Sequence, residues 1–280
     1  MAVQIVVGST CDLPQDEAKA LNVHMIPMRV VFEDGVYADG VDIDKATFYQ
    51  KQAECKTLPK TTQINPQDFF DAFQPLLDNG DEVVAIVMSS KLSGTYQSAC
   101  IAKEMVDGGE RLHVVDSLNV TLGENLLVRE AVKLRDAGKS AAEIATAIEE
   151  LRHRVRFVAF IGTMKYLKMG GRISSTTAVV GTMLNISPVI ALVEGEIKSV
   201  GQVRGKLKAI SYALDFAKEY PVDTRHTVVF GHSQCPDTVN GYQEKLTQAL
   251  GIQDYHVDEL GAAIGVHAGP GCYGMAYIGQ

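Results

Sequence analysis

Val83–Gly109 reads VVAIVMSSKLSGTYQSACIAKEMVDGG, and the fold is decided there. Val83–Met88 is an unbroken apolar, largely β-branched run, the composition of a strand covered on both faces. Four hydroxyl residues follow, Ser89, Ser90, Ser93 and Thr95, grouped around Gly94, where a helix should begin. Ser98, Ile101, Ala102 and Met105 recur at helical spacing and predict a narrow, small-residue face toward the sheet, with Gly108-Gly109 as the stop. A strand feeding a helix N-terminus presents free N–H groups and the positive end of the helix dipole. Open α/β sheets bind ligands at such junctions, and an anion is the natural guest. The hydroxyls therefore either grip a carboxylate or only cap the helix.

The same unit stands at the N-terminus. Val3–Val7 is a strand delivered into Gly8-Ser9-Thr10-Cys11-Asp12, and Asp12 and Pro14 mark a helix start that runs to about Leu21. Two such units predict neighbouring parallel strands whose loops converge on one crevice. Val23–Val31 and Val36–Tyr37 flank Asp34-Gly35, a hairpin signal. Asp39-Gly40-Val41-Asp42 lacks the oxygen-ligand spacing of a calcium loop and reads as a turn. Thr61 and Thr62 fall in a loop before a helix capped by Asn65, opened by Pro66 and faced by Phe69, Phe70 and Phe73. His113–Asp116 is a strand and Leu122–Ala137 a helix; Ser140 and Glu143 form a capping box for the next helix.

From Val155 the texture changes. Phe157–Ile161 is a strand, and Met164–Met169 is a helical turn closed by Gly170-Gly171 with Arg172 after it. Thr176–Leu184 reads as a small-residue helix, and Pro188–Val193 with Glu196–Val203 as a hairpin. The chain finishes on a glycine-rich loop carrying His267 and a last strand, Met275–Ile278. The expected architecture is α/β in two domains. Residues 1–155 form a Rossmann-like parallel sheet flanked by helices, and residues 156–280 a mixed or antiparallel α+β sheet, with a ligand between them.

The 280 residues are 46% hydrophobic, enough for a sizeable core, and the net charge of −8 argues against nucleic-acid or anionic-membrane binding. Five cysteines, an odd number without a C-x-x-C pair, fit reduced thiols better than a disulfide or zinc framework. The opening MAVQIVVGST shows no export signal, and no apolar run reaches membrane-span length. A soluble cytoplasmic protein is expected.

The order Ser93, Asp116, His267 is that of α/β-hydrolases, but Ser93 sits in K-L-S-G-T rather than G-x-S-x-G, so a hydrogen-bonding role is preferred over a nucleophilic one. No Walker A pattern is present, and the seven histidines show no metal-binding spacing. His267 lies amid Gly265, Gly269 and Gly271, where it either meets a ligand or is satisfied by backbone carbonyls. Arg172 and Arg204, each beside a glycine, either clamp an anion or cap helix ends.

Together these segments add up to a family. STCDLP at Ser9–Pro14, YADGV at Tyr37–Val41, KTTQ at Lys60–Gln63, LSGTYQSA at Leu92–Ala99 and VDS at Val115–Ser117 are joined by YLKMGGRI at Tyr166–Ile173, LNI at Leu184–Ile186 and GVHAGPG at Gly265–Gly271. In this set the chain resembles the DegV family of bacterial fatty-acid-binding proteins, acyl carriers that work with a fatty acid kinase. The resemblance implies a long-chain fatty acid lying between two domains. Its carboxylate would be held by Ser93 and the pair Thr61/Thr62, with Gly94 and Thr95 in the same loop and His267 and Arg204 behind. Arg172 would contact the partner. The tail would enter an apolar tunnel to which the 176–184 helix contributes. It also implies no metal or cofactor beyond the bound fatty acid, no catalysis by the chain itself, and at most transient contact with a membrane surface. A serine-dependent esterase and a binder of another small anionic metabolite stand as the alternatives.

Overall fold

The computed structural model describes residues 2–173 and 185–280, so the helix expected over 176–184 lies outside the described residues. The first third of the chain runs β1 (Val3–Gly8), α1 (Gln15–Ala20), β2 (Val23–Ile26), β3 (Arg29–Phe32), β4 (Gly35–Ala38), α2 (Lys45–Glu54), β5 (Lys60–Thr62) and α3 (Pro66–Asp78). It continues through β6 (Glu82–Val87), α4 (Thr95–Met105), β7 (Leu112–Asp116), α5 (Leu122–Asp136), α6 (Ala141–Leu151), β8 (Val155–Phe160) and α7 (Lys165–Met169). After the undescribed stretch come β9 (Ile186–Val193), β10 (Glu196–Arg204), α8 (Lys206–Glu219), β11 (Val228–His232), α9 (Pro236–Leu250), β12 (Tyr255–Glu259), α10 (Ala262–Ala268) and β13 (Tyr273–Ile278).

Among the described residues three sheets form. β2-β1-β6-β7 is wholly parallel, as two adjoining strand–loop–helix units require. Along β6, Val84 and Ile86 pack into one core and Val83, Ala85 and Val87 into the other, so the run has no polar face to expose. β10-β9-β8-β13-β11-β12 is antiparallel except at the β11–β12 pair, and β4-β3-β5 is a small antiparallel sheet. The α/β architecture read from the sequence, one parallel sheet between helices and one mixed sheet, is the observed one.

Helix α5 joins the two large sheets. Every residue from Leu122 to Val132 is buried, and the helix packs on β1 and β6 of one sheet and on β8, β11 and β13 of the other. Its polar residues survive burial because each has a partner. Arg129 pairs bidentately with Glu17 (2.5 and 2.8 Å) and reaches Asp258 at 3.3 Å, while Glu130 meets His226 Nδ1 at 2.8 Å.

Several local expectations change. The Val23–Val31 run divides at Pro27: β2 joins the parallel sheet and β3 the small one, with the Met28 N–H donated to Ser9 Oγ at 3.0 Å instead of to a strand. Thr61 and Thr62 lie on the short strand β5 rather than in a loop. The buried face of α4 is Thr95, Ser98, Ala99 and Ala102; Ile101 and Met105 are 43% and 45% exposed. The four small residues let the helix backbone approach its neighbours, which turns the two large ones outward. His267 lies on helix α10, not in a loop.

Candidate functional site

Between the parallel sheet and the six-stranded sheet lies a cavity of about 250 Å³. Its walls are carbon, supplied by Met88, Phe157, Ile190, Leu192, Leu260 and Ile264 among others. Polar groups gather where β5, the loop after β6, α10 and the turn after α7 meet: Thr61, Gln63, Ser93, Arg172 and His267. The cavity is mostly apolar, and its polar groups gather at this place and at a second one formed by Thr10 and Thr121, which suits an amphiphile.

The loop after β6 sets Ser93. Ser93 Oγ accepts the Thr95 N–H at 3.2 Å and pairs with Thr95 Oγ1 at 2.9 Å. Gly94 occupies the N-cap of α4, which no side chain caps, so this one hydroxyl serves both the helix start and the cavity. The other hydroxyls of the stretch turn away from it. Ser89 is fully buried and donates to the Gly195 carbonyl at 2.8 Å, tying the loop to the β9–β10 hairpin. Ser90 is exposed, and its N–H goes to Asp116. Thr95 is buried behind Ser93.

His267 is set by α10, which is pinned to the N-terminal half of the chain. Asp39 accepts the N–H groups of Ala262 and Ala263 (2.9 and 3.3 Å) and the Ser9 hydroxyl (2.9 Å). Asp12 accepts the Gly261 N–H at 2.7 Å and the Thr121 hydroxyl at 2.6 Å. Two carboxylates at a helix N-terminus satisfy its orphan donors and complement its dipole. Farther along, Gln52 Nε2 donates to the Gly265 carbonyl at 3.0 Å. The acidic pair read as turn chemistry thus has half of its purpose far from the turn. Among the described residues, no group of three or more His, Cys, Asp or Glu side chains is arranged to hold a metal.

Thr61 Oγ1 lies 2.9 Å from His267 Nε2. Nδ1 of the same ring is buried without a hydrogen-bond partner among the described residues, and Gly170 presses on it: a Cβ there would fall 2.2 Å from Nδ1. The tautomer that leaves no donor stranded is protonated at Nε2, which donates to Thr61 and frees the Thr61 hydroxyl proton for another acceptor. Burial, reinforced by the Arg172 guanidinium, pushes His267 down to about 4, so the ring is neutral at pH 7. The fixed positive charge at the site is Arg172, whose Nε donates to the Leu92 carbonyl at 3.3 Å and which also donates to the Gly170 carbonyl.

Thr10 and Thr121 also border the cavity, with their hydroxyls committed to Glu124 (3.0 Å) and Asp12. Complete burial raises both carboxyls, Asp12 to about 7. Glu124 Oε1 has no partner among the described residues.

Of the residues singled out in the sequence, Thr61, Ser93, Gly94 and His267 border the cavity, and so does Arg172, expected to face a partner. Thr62 and Arg204 do not. Strand alternation turns Thr62 outward between Thr61 and Gln63, and it is exposed. Arg204 ends β10, an edge strand, and is exposed there. Gln63, just past the end of β5, was missed although its spacing of two from Thr61 is a legible signal; its amide lies over Gly94 and donates to Ser98 Oγ at 3.1 Å. The hydrolase order does not assemble: Asp116 accepts the N–H groups of Ser90 and Leu118, Ser93 pairs with Thr95, and His267 with Thr61.

Fold and site define an α/β protein that encloses an amphiphile-shaped cavity between two sheets. Comparison with known proteins makes this particular. The family model "Uncharacterised protein, DegV family" matches residues 2–280, and the chain belongs to the DegV family. A DegV domain-containing protein of Caldanaerobacter subterraneus is 36% identical over 98% of both chains. A solved DegV family protein from Thermus thermophilus, reported for its fatty acid binding, superposes with a TM-score of 0.90 at 34% identity, covering 100% of each chain. A stearic-acid-binding protein from Eubacterium ventriosum superposes with a TM-score of 0.88 at 27% identity, covering 100% of this chain and 98% of its own.

Proposed function

We propose that the protein binds a long-chain fatty acid between two domains, residues 1–155 and 156–280, and presents its carboxylate to a fatty acid kinase in the cytoplasm. The observation that carries this reading is the apolar cavity whose polar groups are confined to Thr61, Gln63, Ser93, Arg172 and His267 at one place and Thr10 and Thr121 at another. The Thermus and Eubacterium relatives support it, since both are fatty-acid binders.

Each group has a task. Thr61 donates its freed proton to one carboxylate oxygen, with the neutral His267 holding it in that orientation. Ser93 donates to the carboxylate when Thr95 supplies the proton between them. Arg172 balances the charge. Phosphoryl transfer belongs to the partner kinase, and the exposed Thr62 and Arg204 are free to meet that partner rather than the ligand.

Burial of each methylene contributes about 0.8 kcal/mol. Charge-assisted hydrogen bonds contribute about 1.5–3 kcal/mol each, largely offset by desolvation of the carboxylate. The tail therefore sets affinity and the hydroxyls set register. Native mass spectrometry of the purified protein should show a co-purifying fatty acid, and melting temperature should climb with acyl length in a thermal-shift series. A melting temperature indifferent to every acid from eight to eighteen carbons would refute the reading.

A further inference from the structure

The cavity that holds the head group is short for a long-chain acid. An engineered cavity of about 150 Å³ takes up benzene, which allows about 25 Å³ per carbon. By that measure the 250 Å³ cavity holds about ten carbons. A second cavity of about 330 Å³ lies beyond it, and Phe157 and Leu192 line both.

Those two residues are cross-strand neighbours. β8 and β9 pair antiparallel with Val158 opposite Ala191, which sets Phe157 opposite Leu192 one step further, both on the same face. Phe157 stands near the start of β8; from the other end of that strand the chain passes into α7, which packs on α10 and so on the helix of His267. Four residues of strand span about 13 Å, so the pair lies well away from the head-group end. Phe157 is 5% exposed and fixed in the core, whereas Leu192 is only half-buried.

The second cavity offers carbon to a chain coming through. Leu118, Val193, Val200, Phe216 and Tyr220 line it. Its arginines are partly engaged: Arg152 donates to the Asp116 carbonyl at 2.7 Å, and Arg156 Nη1 to the His153 and Val155 carbonyls at 2.9 and 3.1 Å. Arg156 Nε is buried without a partner among the described residues.

We infer that Phe157 and Leu192 form a septum at which acyl-chain length is read. Acids of up to about ten carbons end against it. Longer ones thread between the two side chains, with Leu192 yielding, and place their terminal carbons in the second cavity. The inference rests on the fatty-acid reading above.

The test is calorimetric titration of delipidated protein with saturated acids of eight to eighteen carbons. In the unsubstituted protein, affinity should rise roughly fourfold per methylene well past ten carbons. Leu192→Trp fills the septum, and its profile should flatten near ten carbons, leaving the sixteen-carbon acid weaker by about three orders of magnitude, six methylenes at fourfold each. Val200→Trp obstructs the second cavity from a site 40% exposed, so folding is not at risk, and its profile should flatten at an intermediate length. Profiles of both variants that track the unsubstituted protein to eighteen carbons overturn the septum. Absence of binding at every length in the unsubstituted protein overturns instead the fatty-acid reading beneath it.

Discussion

At one end of the cavity Thr61, Ser93 and His267 are each held by a hydrogen bond to a neighbouring side chain, and the helix behind His267 is pinned by two carboxylates. At the other end Phe157 and Leu192 meet the space with carbon alone. The polar end is assembled from distant parts of the chain, β1, the turn after β4, β5, the loop after β6, and α10. The apolar end is one strand pair of the six-stranded sheet. Direction-dependent bonds fix a head group in one place, whereas non-directional burial tolerates a tail of varying length.

The contrast predicts effects of different size and kind. The largest is a pH effect on stability at the polar end. Asp12 titrates near 7 in the folded protein, above an ordinary aspartate, because burial disfavours its charge. A raised pKa contributes stability that is fully present below about pH 4 and is lost as pH rises through 7, on the order of 4 kcal/mol in all. Urea unfolding should show this slope between pH 4 and 8 in the unsubstituted protein, and Asp12→Asn should reduce it, leaving the share of Glu124 and Asp39, whose carboxyls burial also raises.

Next in size, Asp39→Ala strands the N–H groups of Ala262 and Ala263 and the Ser9 hydroxyl, and should cost on the order of 3 kcal/mol in the same measurement. Fatty acid binding should fall with it, because α10 carries His267. If stability falls while affinity is kept, the hold on α10 does not set the head-group end.

Gly170→Ala sharpens the comparison at one atom. A Cβ there meets His267 Nδ1, so the ring must leave Thr61. Affinity for a sixteen-carbon acid should drop about tenfold, within the 1–3 kcal/mol range of overpacking, with little change at the tail end. Ser93→Ala is the smallest, a loss of about 1 kcal/mol in binding with a small fall in the melting temperature of the free protein, because the Thr95 N–H and hydroxyl lose their partner. Binding should also be insensitive to His267 protonation above pH 5, since its pKa lies near 4.

Much of this was legible in the residues. The parallel sheet followed from two apolar runs each delivered into a polar loop; the Asn65 cap and the Ser140–Glu143 capping box stand where they were read, and Asp68 completes a second box at Asn65. Ser93 was legible because it sits in the turn between a buried strand and a helix. Thr61 was named by resemblance alone, and Thr62, named with it, does not border the cavity, because pairing the two ignores the alternation of a strand whose existence depends on β3. Ile101 and Met105 matched helical spacing but not the contact face, since close packing selected the small residues instead.

By itself the sequence determined what short-range physics can decide: strand against helix, where helices start, and which loop carries hydroxyls into a crevice. Tertiary structure decided the rest of the site. GVHAGPG reads locally as a glycine-rich loop, and part of it is helical in place because Asp39 and Asp12, more than two hundred residues earlier, take the first N–H groups of α10. A seven-residue helix cannot offset the cost of nucleation with its own bonds. The partners that hold it, and with it His267 beside Thr61, exist only once the two halves of the chain have met.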